Sequence, residues 1–226
     1  MIETKNLTRS FQNGDVVTPV LKGIDFAAND GEFLAIMGRS GAGKSTLLYQ
    51  ISLLDEPTGG AIKIDGHDTH RMSEDERMRF RLNKFGYVFQ DYALLPELTA
   101  LENVALPLMM QDKSRTSAYA QAQRALERVG LGHRLHNLPS QLSGGEQQRV
   151  SISRAIAHKP AVLFADEPTA NLDNESSRKV MDTFVELHKE GQTIIMVTHE
   201  EPYAALADRL IRLDDGKIIS ETKRRG

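Results

Sequence analysis

The sequence has no cysteine among its 226 residues, which excludes disulfide bonds and thiolate metal sites. It also has no excess of basic residues. Its formal net charge is -3 at pH 7, so it lacks the global positive field that drives non-specific nucleic-acid binding, and no nucleic-acid partner is expected. No window approaches the roughly eighteen apolar residues of a membrane span, and Met1 to Phe11 lack the apolar region of a secretory signal. We therefore expect a cytoplasmic chain whose contact with any membrane is indirect.

The remaining composition, 40% hydrophobic and 26% charged without low-complexity tracts or internal repeats, is typical of a soluble globular domain. A chain of this length can bury a sizeable core within one α/β domain. The closing basic run Lys223, Arg224 and Arg225 is short, and we expect it to be solvated.

Short apolar runs alternate with helix-forming stretches along most of the chain. Strands are predicted at 2–7, 20–26, 32–37, 61–64, 85–90, 161–165, 193–198 and 210–213, and helices at 44–54, 73–83, 175–189 and 203–207. The segment from Leu101 to about His136 is predicted to be helical and interrupted by Pro107. This alternation indicates a mainly parallel sheet with helices on both faces, preceded by an antiparallel layer.

Gly38 to Ser45, GRSGAGKS, match the phosphate-loop pattern GxxxxGK[ST] in full. The loop lies between the apolar run Phe33–Met37 and a predicted helix, a context that separates a true match from an ordinary glycine-rich turn. Its glycines would let successive backbone N–H groups point at phosphate oxygens, at a helix N-terminus that favours negative charge.

Each position of this loop has an expected role. Lys44 would add a full charge near the β- and γ-phosphates, the Ser45 hydroxyl would ligate Mg²⁺, and Thr46 would contact the α-phosphate side. The predicted nucleotide-binding residues here are Gly38, Arg39, Ser40, Gly41, Ala42, Gly43, Lys44, Ser45 and Thr46.

Two carboxylates, Asp166 and Glu167, end the apolar run AVLFADE. The carboxyl edge of a parallel sheet is where such groups hold Mg²⁺. Asp166 is predicted to bind the metal through water, and Glu167 to orient and deprotonate the water that attacks the γ-phosphate. Taken alone, two acids at a strand end are more often a solvated edge, but the phosphate loop in the same chain favours the metal site.

The segment LSGGEQQR contains a second candidate helix start. Ser143 and Glu146 have the S-x-x-E spacing of a capping box, and Gly144 and Gly145 would bare the first N–H groups of the helix to an anion. An ordinary capped helix is the alternative interpretation of this spacing.

Together the segments GRSGAGKST, LSGGEQQRV and AVLFADEPTANLD, with the downstream Thr198–His199 pair, resemble the nucleotide-binding subunit of an ATP-binding cassette (ABC) transporter. The resemblance covers essentially the full chain, and LSGGEQQ separates this family from other phosphate-loop ATPases. It implies an α/β fold of the P-loop NTPase type, with a mainly parallel central sheet flanked by helices, an N-terminal antiparallel β layer and a helical subdomain. The implied division is a nucleotide-binding core at 1–90 and 160–226, and a helical signature subdomain at about 91–159.

Four further residues acquire roles from this resemblance. Phe11 resembles the aromatic residue that stacks on adenine, with a buried strand residue as the alternative. Gln90 resembles the glutamine that reaches Mg²⁺ and the attacking water, with a surface glutamine as the alternative. Asp173 resembles the aspartate that connects two sites across a dimer, with a helix cap as the alternative, and His199 resembles the switch histidine that contacts the γ-phosphate.

The resemblance also implies ATP and Mg²⁺ as ligands and two protein partners. In a head-to-tail dimer, Ser143, Gly144, Gly145 and Glu146 of one copy would cover the nucleotide bound by Lys44 of another. An integral-membrane permease, sensed by the loop after Gln90, would hold the chain at the cytoplasmic face of the cell membrane.

The segments LLDEPTGGAIKIDG and VFQDYALLPELTALENVALPL resemble the branch that contains lipoprotein-release, MacB-type, haem-export and FtsE-type subunits. This branch, together with a chain that stops soon after the last predicted strand, favours ATP-driven export or membrane extraction of an amphiphile. One alternative is an FtsE-like mechanical signalling ATPase that controls cell-wall enzymes. A soluble ABC protein of DNA repair or translation is disfavoured, because the sequence has neither a long coiled-coil insertion nor a second cassette.

Overall fold

The structure is a computed structural model that describes residues 1–223, so Arg224 and Arg225 of the basic run lie outside the described residues. The strands are β1 Ile2–Asn13, β2 Val16–Ala28, β3 Phe33–Met37, β4 Gly59–Ile64, β5 His67–Asp68, β6 Phe85–Val88, β7 Val162–Asp166, β8 Thr193–Val197, β9 Arg209–Asp214 and β10 Lys217–Lys223. The α-helices are α1 Lys44–Ile51, α2 Glu74–Lys84, α3 Ala100–Met110, α4 Arg115–Arg128, α5 Gly144–Ile156, α6 Asn174–Lys189 and α7 Glu201–Ala204.

The chain divides into two compact units. The first unit comprises Met1–Arg79 and Gly191–Gly226, and the second comprises Phe80–Glu190. The division into a nucleotide-binding core and a signature subdomain stays a prediction, because it concerns the roles of the segments.

The first unit contains the predicted antiparallel layer, with strand order β2-β1-β4-β5. A second group of strands is centred on β3, which pairs in parallel with β8 and β9, while β10 runs antiparallel to β9. Every residue of β3 and β8 is buried. Strands covered on both faces read as continuous apolar runs, which explains why the sequence pattern located them.

A buried arginine joins the two groups of strands. Arg209, the first residue of β9, donates through Nη1 to Glu221 of β10 at 3.1 Å, and through Nη2 to Glu32 at 3.3 Å and to the carbonyl of Ala27 at the end of β2. A buried guanidinium is tolerated when its donors meet carboxylate and carbonyl oxygens. These bonds therefore fix the end of the antiparallel layer beside β9 and β10.

The second unit is built on the parallel pair β6–β7, in which Phe85 lies opposite Val162. Helices α3, α4 and α5 share one apolar core, whose fully buried members include Val104, Leu108, Leu126 and Val150. These residues recur at helical spacing, so each helix buries one face in the common core.

Pro107 does not interrupt its helix, so that prediction is wrong. It lies three residues before the end of α3, where the missing N–H deprives only the Asn103 carbonyl of a partner within the helix. The break comes at 111–114, where Ser114 caps α4. The predicted helical continuation to about His136 is also wrong: α4 ends at Arg128, followed by Gly130 with a left-handed φ of 76°.

Three helices begin with the same reciprocal capping box. In each, a Ser or Thr hydroxyl accepts from the N–H of a Glu three residues later, and the Glu carboxylate accepts from the Ser or Thr N–H. The pairs are Ser73–Glu76 in α2, Thr99–Glu102 in α3 and Ser143–Glu146 in α5. These bonds, which favour the ionised carboxylate, lower the pKa of all three glutamates.

The capping box of α3 should make the protein less stable in acid. The hydroxyl and N–H of Thr99 hold the pKa of Glu102 below its value of 4.5 in the unfolded chain. The unfolded state therefore binds more protons in this range, and the stability that Glu102 contributes is present above pH 4.5 and lost as the pH falls through the lowered folded-state pKa. Glu102→Gln should reduce the free energy of unfolding by about 0.5 kcal/mol at pH 7, and this difference from wild type should shrink in acid.

Urea unfolding at several pH values measures this difference, and Glu186→Gln on the exposed side of α6 controls for the loss of one charge. A difference between Glu102→Gln and wild type that stays constant down to pH 3 would contradict the prediction.

Candidate functional site

The predicted phosphate loop connects β3 to α1 in the first unit. Gly43 precedes the helix with a left-handed φ of 97°, its carbonyl accepts from the N–H of Leu47 at 2.8 Å, and the first turn consists of Lys44, Ser45 and Thr46. Within residues 1–223 no side chain caps this helix start. The positive N-terminal end of α1 therefore carries two small hydroxyl side chains and a lysine, and no carboxylate. This arrangement suits an anionic ligand.

Close backbone packing shapes the loop. An ideal Cβ on Gly38 would lie 2.2 Å from the carbonyl oxygen of Leu213, and one on Gly43 would lie 3.0 Å from Leu21. The N–H of Gly216 donates to the carbonyl of Ala42 at 3.1 Å. The loop is thus held between β2 and the β9–β10 hairpin, in space that side chains would fill.

The side chain of Lys44 lies against the backbone of its own loop. Its Nζ donates to the carbonyl of Arg39 at 3.3 Å, while the N–H of Ala42 donates to the same carbonyl at 3.1 Å. A phosphate in this loop would meet the ammonium group as well as the backbone.

Phe11 is 45% exposed near the end of β1, so its interpretation as a buried strand residue is wrong. One ring face is covered by the guanidinium of Arg9, 4.6 Å from the ring centroid. Arg9 is itself paired with Asp55 at 2.8 Å. The ring is therefore anchored on the protein and still accessible to a planar ligand.

His199 follows β8 and is exposed. Together with Gly38 and Arg39 it lines a cleft of about 420 Å³. The structure thus brings His199 to the start of the phosphate loop, within the first unit.

In the second unit, Asp166 and Glu167 end β7 as predicted. Asp166 is only 5% exposed, whereas Glu167 is partly exposed and has a left-handed φ of 46°. Such a backbone is unfavourable for a residue with a side chain, and it is found at sites where the direction of that side chain matters. The N–H of Ala170 donates to the Glu167 carbonyl at 3.1 Å and closes the turn.

The start of α5 has the capping box predicted from its sequence. The Ser143 N–H donates to Glu146 Oε2 at 2.8 Å, and the Glu146 N–H donates to Ser143 Oγ at 3.3 Å. Arg134 Nε donates to the other carboxylate oxygen at 3.0 Å. The pKa of Glu146 is lowered chiefly by the Ser143 N–H, so the carboxylate remains ionised near neutral pH.

Packing leaves little room beyond a glycine at two positions of this helix start. An ideal Cβ on Gly145 would lie 2.7 Å from Ser176, at the start of α6, and one on Gly144 would lie 2.9 Å from the hydroxyl of Tyr92. Any larger residue at either position would force one of these neighbours to move.

Asp173 is the N-cap of α6, which confirms the helix-cap interpretation. Its Oδ1 accepts from the N–H groups of Glu175 and Ser176, each at 2.9 Å, and the N–H of Ser176 is the largest cause of its lowered pKa. The predicted role of Asp173 between two copies is a separate question and stays a prediction.

Gln90 is exposed, two residues beyond the end of β6. Its carbonyl accepts from Asn171 Nδ2 at 3.1 Å. Asn171 lies between Glu167 and Asp173 in sequence, so this bond joins the loop after β6 to the loop after β7.

Gln148, which the sequence motifs did not single out, is fully buried within α5. Its Nε2 donates to the carbonyl of Pro168 at 2.8 Å and to that of Phe89 at 3.3 Å, so it holds both loops against the helix. Gln148 lies three residues after Gly145 and four before Ile152, both buried. A polar side chain on the buried face of a helix is the signal that could have identified it.

A mainly apolar cleft of about 280 Å³ lies elsewhere in the second unit; we call it the α3 groove. Its lining includes Phe89, Ala93 and Pro107, with Met110, which is 59% exposed, and His158. Burial lowers the pKa of His158, so its imidazole is neutral near pH 7. Arg154 also lines the groove and brings one guanidinium to a mainly apolar surface. Such a surface with an exposed methionine is suited to a largely apolar segment of another protein.

Among the described residues, no group of three or more histidine or carboxylate side chains could hold a metal by itself. The predicted Mg²⁺ donors stay a prediction, in which phosphate and water oxygens would complete the shell of the ion. The hydroxyl of Ser45, the carboxylate of Asp166 and the amide of Gln90 are donors of the right kind. No helix within residues 1–223 is both long and apolar enough to cross a bilayer.

Residues 21–170 match the family model for the ABC transporter domain. The chain is 48% identical over 225 residues to the macrolide export ATP-binding/permease protein MacB of Aggregatibacter actinomycetemcomitans, an alignment that covers 100% of this chain and 35% of that protein. It therefore spans about a third of the length of that relative. It is 46% identical to the lipoprotein-releasing system ATP-binding protein LolD of Aquifex aeolicus, with 91% of this chain and 92% of that protein covered.

A solved structure with the same fold is a dimeric post-hydrolysis state of the ATP-binding cassette MJ0796 bound to ADP and Pi. Its TM-score is 0.93 at 40% sequence identity, and all of both chains is covered. The fold predicted from the motifs is thereby confirmed as that of an ABC ATPase cassette. The match over residues 21–170 and the likeness to MacB, LolD and MJ0796 along nearly the whole chain lead to one conclusion: the chain belongs to the ABC transporter family.

Proposed function

We propose that the chain binds ATP with Mg²⁺, hydrolyses it to ADP and phosphate, and thereby drives a membrane transporter that exports or extracts an amphiphile. Candidate substrates are a lipoprotein, a macrolide or peptide, and haem. The observation that carries the proposal is the start of α1, where a glycine loop packed against Leu213 and Leu21 leads directly into Lys44 and Ser45.

The phosphates are bound by the N–H groups of residues 38–46 and by the ammonium group of Lys44. Ser45, Gln90 and Asp166 would hold Mg²⁺, which when bound neutralises negative charge on the phosphate oxygens. Phe11 offers its free ring face to adenine, with Arg9 supporting the opposite face.

Hydrolysis requires a base, and Glu167 has this role. Its carboxylate accepts a proton as the water oxygen bonds to the γ-phosphorus, and the bond from that phosphorus to the β–γ bridging oxygen breaks to leave ADP and phosphate. Gln90 orients the water, and the imidazole of His199 donates to a γ-phosphate oxygen.

The active form is a head-to-tail dimer. Ser143, Gly144, Gly145 and Glu146 of one copy cover the nucleotide bound by Lys44 of the other, and Asp173 connects the two sites. The dimeric state of MJ0796 supports this arrangement. ATP therefore closes the dimer, and loss of the γ-phosphate opens it.

An integral-membrane permease is the second partner, bound in the α3 groove at the cytoplasmic face of the membrane. The apolar lining and the exposed Met110 support this docking surface. The relative MacB, described as an ATP-binding/permease protein, supports a connection between such a cassette and a membrane part.

Glu167→Gln should abolish hydrolysis and preserve ATP binding, because the amide keeps the shape of the side chain without its basicity. We expect phosphate release to fall by at least about 100-fold. In the presence of ATP and Mg²⁺, the variant should accumulate as a stable dimer. A phosphate-release assay and size-exclusion chromatography with light scattering measure these effects, and Glu186→Gln is the surface control. Hydrolysis at a near wild-type rate would exclude Glu167 as the base.

Mixing two inactive variants should restore ATPase activity if each site is shared between copies. Lys44→Ala removes the phosphate-binding ammonium and Ser143→Arg blocks the covering helix start, so each homodimer has two defective sites. A mixed dimer has one site with both defects and one with neither. We expect the mixture to hydrolyse ATP well above either variant alone, and no gain at any mixing ratio would contradict a shared site.

Met110→Glu should separate the ATPase from its permease, because it places a charge in the α3 groove. Tagged wild-type protein should co-purify from detergent-solubilised membranes with a polytopic membrane protein, identified by mass spectrometry, and Met110→Glu should lose it while retaining ATP-driven dimerisation. Ala120→Glu, on the exposed side of α4, is the matched control. Equal recovery with all three proteins would exclude this groove as the docking surface.

A further inference from the structure

The loop after Gln90 has an unusual backbone. Tyr92 and Ala93 are successive residues with left-handed φ values of 63° and 49°, and neither is glycine. This conformation is unfavourable for residues with a Cβ and persists only where the surroundings hold it. Arg154 of α5 supplies that support: its Nη2 donates to the Tyr92 carbonyl at 2.9 Å, and its Nη1 donates to the Ala93 carbonyl.

The side chain of Tyr92 reaches the start of α5. Its hydroxyl oxygen would lie 2.9 Å from a Cβ on Gly144, and the hydroxyl donates a long hydrogen bond of 3.4 Å to the carbonyl of Asn171. Asn171 returns a bond to the carbonyl of Gln90. Tyr92 therefore fills the space that a side chain at position 144 would need, and ties the loop after β6 to the loop after β7 beside the start of α5.

The same loop also reaches the α3 groove, whose lining includes Phe89 and Ala93. Ala93 is the immediate neighbour of Tyr92 in the chain. The bonds from Arg154 to the carbonyls of Tyr92 and Ala93 therefore hold both residues of this loop in place.

We propose that Tyr92 is a positioning residue that sets how Ser143, Gly144 and Gly145 are presented to the nucleotide on a second copy. The inference rests on the proposed function, since it takes the helix start to cover the nucleotide of the other copy. Burial raises the pKa of the Tyr92 phenol, so the hydroxyl is neutral at physiological pH.

The first test separates nucleotide binding from dimer closure, in a Glu167→Gln background that accumulates the dimer. Tyr92→Ala should leave the affinity for ADP unchanged in calorimetry and raise the ATP concentration needed for dimerisation by about 10- to 100-fold. Tyr92→Phe, which keeps the ring, should retain most dimerisation. Unchanged dimerisation of the Tyr92→Ala variant would overturn the inference, whereas a Glu167→Gln parent that does not dimerise would overturn the proposed function itself.

The second test uses the contact with Gly144 directly. Gly144→Ala, in the same background, should weaken ATP-driven dimerisation, and adding Tyr92→Phe should recover about tenfold, because removing the hydroxyl makes room for the new methyl group. Gly145→Ala is the matched control, since its methyl group would meet Ser176 and should gain nothing from Tyr92→Phe. Failure of Tyr92→Phe to rescue Gly144→Ala, or equal rescue of both alanine variants, would overturn the inference.

Discussion

Backbone packing that leaves no room for side chains at the phosphate loop is the constraint on which the rest of the first unit depends. A Cβ on Gly38 would lie 2.2 Å from the carbonyl oxygen of Leu213, and one on Gly216 would lie 2.1 Å from that of Val20. The loop, β2 and the β9–β10 hairpin are therefore locked together before any ligand arrives. In the proposed function, a loop already held in one conformation would lose less entropy when a phosphate binds. The same packing also fixes the antiparallel layer that carries Phe11.

The two helix starts of the predicted site differ in charge, and this difference suggests an order of events. The start of α1 combines bare backbone with Lys44 and has no carboxylate in its first turn. The start of α5 already holds the ionised carboxylate of Glu146, whose charge is partly offset by Arg134 at 3.0 Å. An anion is therefore attracted more strongly to α1 than to α5. In the proposed dimer, nucleotide would therefore bind first at α1 of one copy, and the α5 start of the second copy would be added afterwards.

Local patterns were enough to predict the parts of the molecule governed by local physics. The buried strands β3, β7 and β8 are continuous apolar runs, and the capping box of α5 follows from the spacing of Ser143 and Glu146. The predictions that were wrong concern helix boundaries, which depend on the position of a residue within its helix and on its neighbours in the fold. Pro107 is tolerated because it lies near the end of α3, and the predicted helix to about His136 ends at Arg128, shortly before Gly130. No sequence period reveals that Tyr92 lies against Gly144, because that contact joins residues far apart in the chain.

The second unit holds its functional loops with polar bonds to α5. Gln148 binds the carbonyls of Phe89 and Pro168, and Arg154 binds those of Tyr92 and Ala93. The bonds from Gln148 and the bond from Arg154 to Tyr92 are at least partly buried, so losing any of them is costly and the loops are held in one position. Apolar contacts alone would let them slide gradually. In the proposed transporter, the loop whose unfavourable backbone is held by Arg154 would be the element that a bound partner displaces.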